Sequence, residues 1–389
     1  MKAVILAPGD GRKLLPLTEN RPKPMVRLAN QPILEYTVDG LADAGIEEVI
    51  LVVGRGQDRI RAYFGNGDRW NIEIEYAVQE PQLGTANALL QAEPFLEGEE
   101  EFLVFRGDRL FESAVVDQLV ERRRQTGTYV LGVHDSDRLD EYDIVELTGD
   151  EVTAVDVESS DADAQTTLVD SGAYVFDTLI FDSIRPRVHE SATAGRSIPD
   201  VLDRSVTAVR PLLMGGRRLE LVYPWDLLAA NATILEDRDH HPSSDRIHET
   251  AFVAPDVALA PRTTVGPQAS VLRSVAIGEH ATVGANAVLE NSIVFPDATI
   301  ESGAVVRDAI VGSNVTVGTN ATIEGGSASV TVDNRVHEDV FLGGVVGDDT
   351  RVGGAVTLRP GTVVGNEVTA TSGTTLSGRI DSKTTFGGS

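Results

Sequence analysis

After a first apolar run, Val4-Ile5-Leu6, the chain reads Ala7-Pro8-Gly9-Asp10-Gly11-Arg12-Lys13. A glycine-containing turn between a strand and the segment after it can lay backbone N–H groups against phosphate oxygens. Glycines at strand ends are more often plain turns, so Gly9 and Gly11 decide nothing alone. Further on, Phe102 to Phe105 enters Arg106-Gly107-Asp108, and Tyr223-Pro224-Trp225-Asp226 leads into an apolar stretch. Taken singly, Asp108 reads as a strand-end turn residue, Asp226 as a helix N-cap and Lys23 as a solvated lysine. The chain has no cysteine, which removes disulfides, thiolate metal sites and cysteine nucleophiles.

Strands and helices must hold these groups. From residue 1 to about 235, short apolar runs alternate with helical stretches, as βαβ units do. Val4-Ile5-Leu6 reads as a strand, Ile33 to Ala44 as a helix and Val49 to Val53 as a second strand. Gln57 to Phe64 reads as helical, Ile72 to Tyr76 as extended, Thr85 to Phe95 as helical and Phe102 to Phe105 as a strand. Runs of Val, Ile and Leu without alternation fit a parallel sheet covered on both faces. The expected class is therefore α/β, a doubly wound and mostly parallel sheet over residues 1–235. The polar stretch Glu236 to Ser244 has no period and predicts a linker, set at 236–246.

Beyond it the period changes. An aliphatic residue recurs every sixth position: Ile247, Val253, Leu259, Val265, Val271, Ile277, Val283, Leu289. The phase slips and resumes at Val305, Val311, Val317 and Ile323, then again at Val340, Val346, Val352, Leu358, Val364 and, after Ala370, Leu376. Glycine follows many of them. A parallel β-helix with three short strands per coil explains both facts, since each sixth residue points into a narrow prism and small residues permit the corners. Residues 247–389 are expected to form it, with loops leaving the coil near Phe295 and between Ile323 and Val340.

Taken in order, the N-terminal stretches resemble the signature of the sugar-1-phosphate nucleotidylyltransferases. The residues concerned are the Gly9–Gly11 turn, Leu14 to Thr18, Arg21-Pro22-Lys23-Pro24-Met25, Gln79, Leu83-Gly84-Thr85-Ala86, Gly107-Asp108, Gly172-Ala173-Tyr174-Val175-Phe176 and Tyr223 to Leu228. A six-residue-repeat β-helix, left-handed, is a common attachment in that family. The resemblance implies transfer of a nucleoside monophosphate from a nucleoside triphosphate to a sugar 1-phosphate of glucose or N-acetylglucosamine type, releasing pyrophosphate. It implies that Leu6, Ala7, Gly9, Gly11, Gln79, Gly84, Thr85 and Gly107 cradle the nucleotide, and that Asp108 and Asp226 hold Mg²⁺. Lys13 and Lys23 would contact the phosphates, with Lys13, Lys23 and Asp108 as the catalytic set, and Glu158 with Gly172 would receive the sugar.

The sequence also departs from the family pattern. Pro8 removes one N–H from the loop, and Arg12-Lys13 stands where the family has Thr-Arg, putting a point donor in place of a guanidinium fork. Glu158-Ser159-Ser160 aligns with glutamate-lysine-proline, so a pocket cation is missing. Asp143 aligns with a glycine and Asp170 with an asparagine, and like charges so close disfavour phosphate or leave one carboxyl protonated. These changes motivate an alternative, a degenerate paralogue that binds nucleotide sugar or a catalytic partner. A second alternative is an acetyltransferase in the β-helix, for which His280 and His337 are the histidines to consider. A trimerisation and spacing module is the plainer reading of that domain.

With 33 cations against 60 acids, the formal net charge is −27, which repels nucleic acid and anionic lipid surfaces alike. Lysine appears only at positions 2, 13, 23 and 383, a pattern of salt adaptation like that of haloarchaeal proteins. The N-terminal apolar run is too short for a signal peptide and no stretch of about 18 apolar residues follows, so a cytoplasmic protein is expected. β-Helices of this kind pack side by side about a threefold axis, so a homotrimer is expected through that domain.

Overall fold

A computed structural model describes residues 1–9, 11–80, 83–156, 166–190, 197–202, 208–215, 219, 221–237 and 246–387. The chain forms two compact units, one of Met1–Asp10 with Ile33–Arg218, the other of Gly11–Pro32 with Leu219–Ser389.

The first unit is built on a nine-stranded sheet among the described residues. Its strands in chain order are β1 (Lys2–Ala7), β2 (Glu48–Val53), β3 (Glu73–Val78), β4 (Glu101–Arg106), β5 (Tyr129–Asp135), β6 (Ile144–Thr148), β7 (Glu151–Asp156), β8 (Leu168–Asp177) and β9 (Val209–Leu213). They lie in the order β9-β5-β8-β4-β1-β2-β3, with β6 and β7 joined to β8 off that path. The pairs β1–β2, β1–β4, β2–β3 and β5–β9 are parallel, while β8 runs antiparallel to β4 and β5. Val4, Ile5 and Leu6 are buried on both faces of the sheet, as unalternated apolar strands require.

Helices α1 (Ile33–Asp43), α2 (Gln57–Phe64), α3 (Gly84–Ala92), α4 (Ser113–Thr126), α5 (Ile180–Glu190) and α6 (Ile198–Leu202) accompany the sheet. The helix expected over Thr85 to Phe95 begins one residue earlier and tightens to a 3-10 turn over Glu93–Phe95. Pro94 cannot donate the N–H that would continue it. Val4, Val52, Phe102, Val104, Tyr174 and Phe176 share one core with Leu89 of α3 and Ile184 of α5.

In the second unit, residues 252–386 form three parallel sheets of seven short strands each, a left-handed β-helix. Val265, Val271, Ile277, Val283 and Leu289 fill its interior on the six-residue period. The interior residues then become Val294, Ile300, Val306 and Val311, so the expected phase through Val305 is off by one. The cause is a pair of five-residue steps, Leu289 to Val294 and Val306 to Val311, which shorten the coil at its corners; no loop leaves it near Phe295. The second slip is an antiparallel hairpin, β10 (Ser327–Val332) with β11 (Arg335–Phe341). Val340 belongs to that hairpin, and the interior resumes at Val346.

The glycines after interior residues serve coil stacking. A Cβ at Gly284 would stand 2.6 Å from the backbone nitrogen of Ser302. Left-handed corners are taken instead by polar residues such as Asn286 and Asn320, which adopt αL more readily than most residues.

The same unit holds α7 (Pro224–Asp237) and the segment Gly11–Pro32. The stretch read as a linker starts inside α7, and its residues 238–245 lie outside the described residues. Both pieces pack on the β-helix. Arg21 donates to both carboxylate oxygens of Asp348 at 2.7 and 2.6 Å, with the two side chains 7% and 6% exposed. Its guanidinium also covers the Phe295 ring at 4.7 Å. Asn231 of α7 accepts from Ala29 N–H at 2.9 Å and donates to the Ser274 carbonyl at 3.1 Å.

Candidate active site

In the first unit, β1 ends at Ala7, and Leu6 and Ala7 are buried. Gly107, just past β4, donates its N–H to the Leu6 carbonyl at 2.8 Å. A Cβ there would come within 3.1 Å of Ala7, Ile5 and Leu34, so glycine permits the strand ends to close together beside α1. Around Gly9 a Cβ would meet nothing within 4 Å, which leaves open space above that turn.

Gln79 follows β3 and is 2% exposed. Its Nε2 donates to the Gly84 carbonyl at 3.0 Å and to Asn87 Oδ1 at 2.8 Å. Its Oε1 is buried and accepts no hydrogen bond from the described residues. A buried acceptor of this kind carries a desolvation cost unless a donor arrives. Gly84 opens α3 with φ 81°, and its carbonyl takes the Gln79 amide N–H. The Thr85 hydroxyl is engaged elsewhere, accepting the Ile198 N–H at 2.9 Å.

Asp108 receives both Nε and Nη2 of Arg106, at 3.2 and 3.4 Å. Gly172 sits in β8 where the pairing register with β5 shifts, at φ 77°. Asp170 is 1% exposed and accepts from the Gly172 N–H at 2.8 Å and the Tyr174 hydroxyl at 2.7 Å. Arg109 donates to the Asp170 carbonyl at 3.0 Å and lies over the Tyr142 ring at 4.8 Å. Burial, and then the charge of Asp170, push the Asp143 carboxyl up to about 6 against the pull of Arg106. Glu158 lies outside the described residues.

In the second unit, Gly11 has φ 66°, and a Cβ there would strike Lys23 Cβ at 2.8 Å and Thr18 Cγ2 at 2.9 Å. Thr18 closes the turn by donating to the Gly11 carbonyl at 2.7 Å. Lys23 begins a 3-10 turn, Lys23–Met25. The Lys13 ammonium stands 5.6 Å from the Tyr223 ring centroid, and Tyr223 stacks on Trp225 at 4.6 Å. Asp226 is 5% exposed, and its Oδ2 accepts the N–H groups of Val222 and Tyr223 at 3.1 and 2.8 Å. Asp226 is therefore not the N-cap expected of it taken singly: it is the third residue of α7, and its side chain reaches back to the N–H groups that precede the helix.

His337, on β11, reaches the same aromatic pair, 4.5 Å from Tyr223 and 5.3 Å from Trp225. Residue-by-residue reading had no signal for this meeting, because the hairpin was expected only as a loop. His280 lies on an exposed corner, 3.0 Å from Arg262, with Glu279 and Asp297 within 3.8 Å.

A family profile for nucleotidyl transferase matches residues 2–216, and one for a GMPPB C-terminal domain matches residues 253–345. The low-salt glycan biosynthesis nucleotidyltransferase Agl11 of Haloferax volcanii is 32% identical over 61% of this chain and 67% of its own. The UTP–glucose-1-phosphate uridylyltransferase AglF of the same organism is 31% identical over 61% of this chain and 98% of its own. The bifunctional protein GlmU of Methanococcus vannielii is 31% identical over 61% of this chain, which spans 56% of that relative's length. A solved UDP-glucose pyrophosphorylase in complex with UDP-glucose superposes with TM-score 0.53 at 20% identity, covering 61% of this chain and 99% of that one. At that identity the likeness speaks for the fold alone.

Proposed function

The chain belongs to the nucleotidyl transferase family, and we propose that it joins a nucleoside triphosphate and a sugar 1-phosphate into a nucleotide sugar. The sugar phosphate oxygen attacks the α-phosphorus, the bond from that phosphorus to the α–β bridging oxygen breaks, and pyrophosphate leaves. No protein nucleophile is needed, so catalysis consists of positioning anions and offsetting their charge. The observation that carries this reading is Gln79 Oε1, a buried acceptor just after β3 with no donor among the described residues. A base N–H would satisfy it. Lys13 and Lys23, within the second unit, are the cations we assign to the phosphates, and Gly172 the backbone that receives the sugar.

The family's chemistry uses a divalent metal, and Mg²⁺ is the ion proposed. Asp108 and Asp226, each described within its own unit, are the carboxylates assigned to it, and both already have partners. Both oxygens of Asp108 face Arg106, and an oxygen of Asp226 caps the start of α7. No group of three or more His, Asp or Glu side chains among the described residues could hold a metal ion.

The regulatory alternative has its own support, the Arg106–Asp108 pair and the acids Asp143 and Asp170. The acetyl-transfer alternative has no comparable support: His337 packs on Tyr223 and Trp225, and His280 sits among corner charges. A cytoplasmic homotrimer formed through the β-helix goes with the enzyme reading, and sedimentation velocity measures it.

The purified chain in molar KCl with Mg²⁺, each nucleoside triphosphate and a panel of sugar 1-phosphates should release pyrophosphate with at least one pair. Binding of nucleotide sugar without release from any pair would favour the regulator.

A further inference from the structure

Arg106 stands against Asp108, the carboxylate that a divalent ion would approach on the nucleotidyl-transfer reading, and only that role of Asp108 rests on the reading. Arg106 is the last residue of β4, and its Nε and Nη2 face Asp108 Oδ1 and Oδ2 at 3.2 and 3.4 Å. One guanidinium therefore spans the whole carboxylate. Its stem is held in a slot left by Gly172, where a Cβ would stand 2.6 Å from Arg106 Cδ and 2.8 Å from Cγ. Asp170, the nearby buried acid, already has both oxygens engaged by Gly172 and Tyr174.

A divalent ion binds carboxylate oxygen at about 2.0 to 2.6 Å. An ion bound to Asp108 would then lie within roughly 4 to 5 Å of the guanidinium, where like charges repel strongly in partly buried surroundings. The pair is partly buried, with side chains 30% and 22% exposed, so bulk water screens this repulsion only in part.

We propose that Arg106 is a resident counter-ion of Asp108 that competes with divalent cations for that carboxylate, so that metal binds there weakly while the guanidinium is in place.

Mn²⁺ titrations of the full chain, without nucleotide or sugar and at fixed KCl, test this by calorimetry and by the spin-resonance signal of free Mn²⁺. Arg106→Met keeps the stem and removes the charge, and it should tighten one site by about tenfold or more. Adding Asp108→Asn should abolish that gain, which separates the site from diffuse binding to an acidic surface. Arg106→Lys, whose ammonium cannot span both oxygens, should tighten binding to a smaller degree. The proposal is overturned if folded Arg106→Met binds Mn²⁺ no more tightly than the parent, or if its gain survives Asp108→Asn. If Arg106→Met does not fold, the lysine variant decides: tighter binding supports the proposal, and equal or weaker binding overturns it. Pyrophosphate release is not read in these titrations, so an inactive parent chain would count against nucleotidyl transfer while leaving the Mn²⁺ result to stand or fall alone.

Discussion

Asp143 and Gln79 put two single side chains to a measurable use. The Asp143 carboxyl is raised to about 6 from an ordinary value of 3.8, first by burial and then by Asp170. The folded chain therefore holds a proton that the unfolded chain releases, and stability is lost as pH rises from about 4 through 6, then levels off. Asp143→Asn should abolish that share of the decline and be the more stable form above pH 6, by on the order of 1 to 3 kcal/mol for a shift of about two units. Urea midpoints of parent and variant across pH 4 to 7.5 measure the difference, and parallel curves would refute it. At Gln79 the amide nitrogen serves the fold, and the buried amide oxygen has no donor among the described residues. Gln79→Leu should cost about 1 to 3 kcal/mol of stability, because the Gly84 carbonyl and Asn87 Oδ1 lose their donor. Nucleotide affinity by calorimetry should fall by about tenfold as well, in line with one lost buried hydrogen bond; a stability loss with affinity unchanged would remove Gln79 from the site.

At the scale of elements, the segment Gly11–Pro32 is fastened by contacts no local pattern announces. Arg21 and Asp348 lie 327 residues apart and meet as a buried ion pair, one guanidinium nitrogen donating to both carboxylate oxygens, with the Ser313 N–H also donating to Asp348 at 2.9 Å. Removing one partner leaves a buried charge alone. Arg21→Ala and Asp348→Ala should each cost about 3 to 5 kcal/mol, and the double variant Arg21→Met/Asp348→Leu distinctly less. Equilibrium denaturation of the three proteins decides it, and equal losses in singles and double would mean that packing, not charge, holds the segment. The same contrast explains what was legible beforehand. The strands through Val4, Val49 and Phe102 and the helices from Ile33 and Gln57 could be read, because burial on one face or two imposes a local period. The six-residue repeat was readable for the same reason. The five-residue steps after Leu289 and Val306 were not, since only the partner coil fixes which of Val305 and Val306 turns inward. Nor was the Arg106–Asp108 pair, because an i, i+2 spacing at a strand end becomes a contact only once Gly172 opens the slot for the stem.

For the molecule as a whole, charge is the dominant quantity. A net −27 over 389 residues sets carboxylates against one another across the folded surface, and unfolding relieves part of that repulsion. Several cations are already committed to pairs, Arg123 to Glu101 and Asp177 and Arg21 to Asp348, so they do little to quiet the remaining acids. Screening acts over about 10 Å at 0.1 M salt and about 3 Å at 1 M, and most of the repulsion between neighbouring surface carboxylates should vanish within that interval. The melting temperature is therefore expected to climb steeply with KCl up to about 1 M and more gently beyond it, where ion hydration and exclusion take over. Thermal scans at 0.1, 0.3, 1 and 3 M KCl would trace the curve, with sucrose at matched osmolality as the control for exclusion alone. Charge-reversing a few unpaired surface acids to lysine should flatten the lower part of the curve while leaving the upper part in place. A melting temperature that rose as much in sucrose as in KCl would show that the acidic surface is tolerated by the fold without setting its salt requirement.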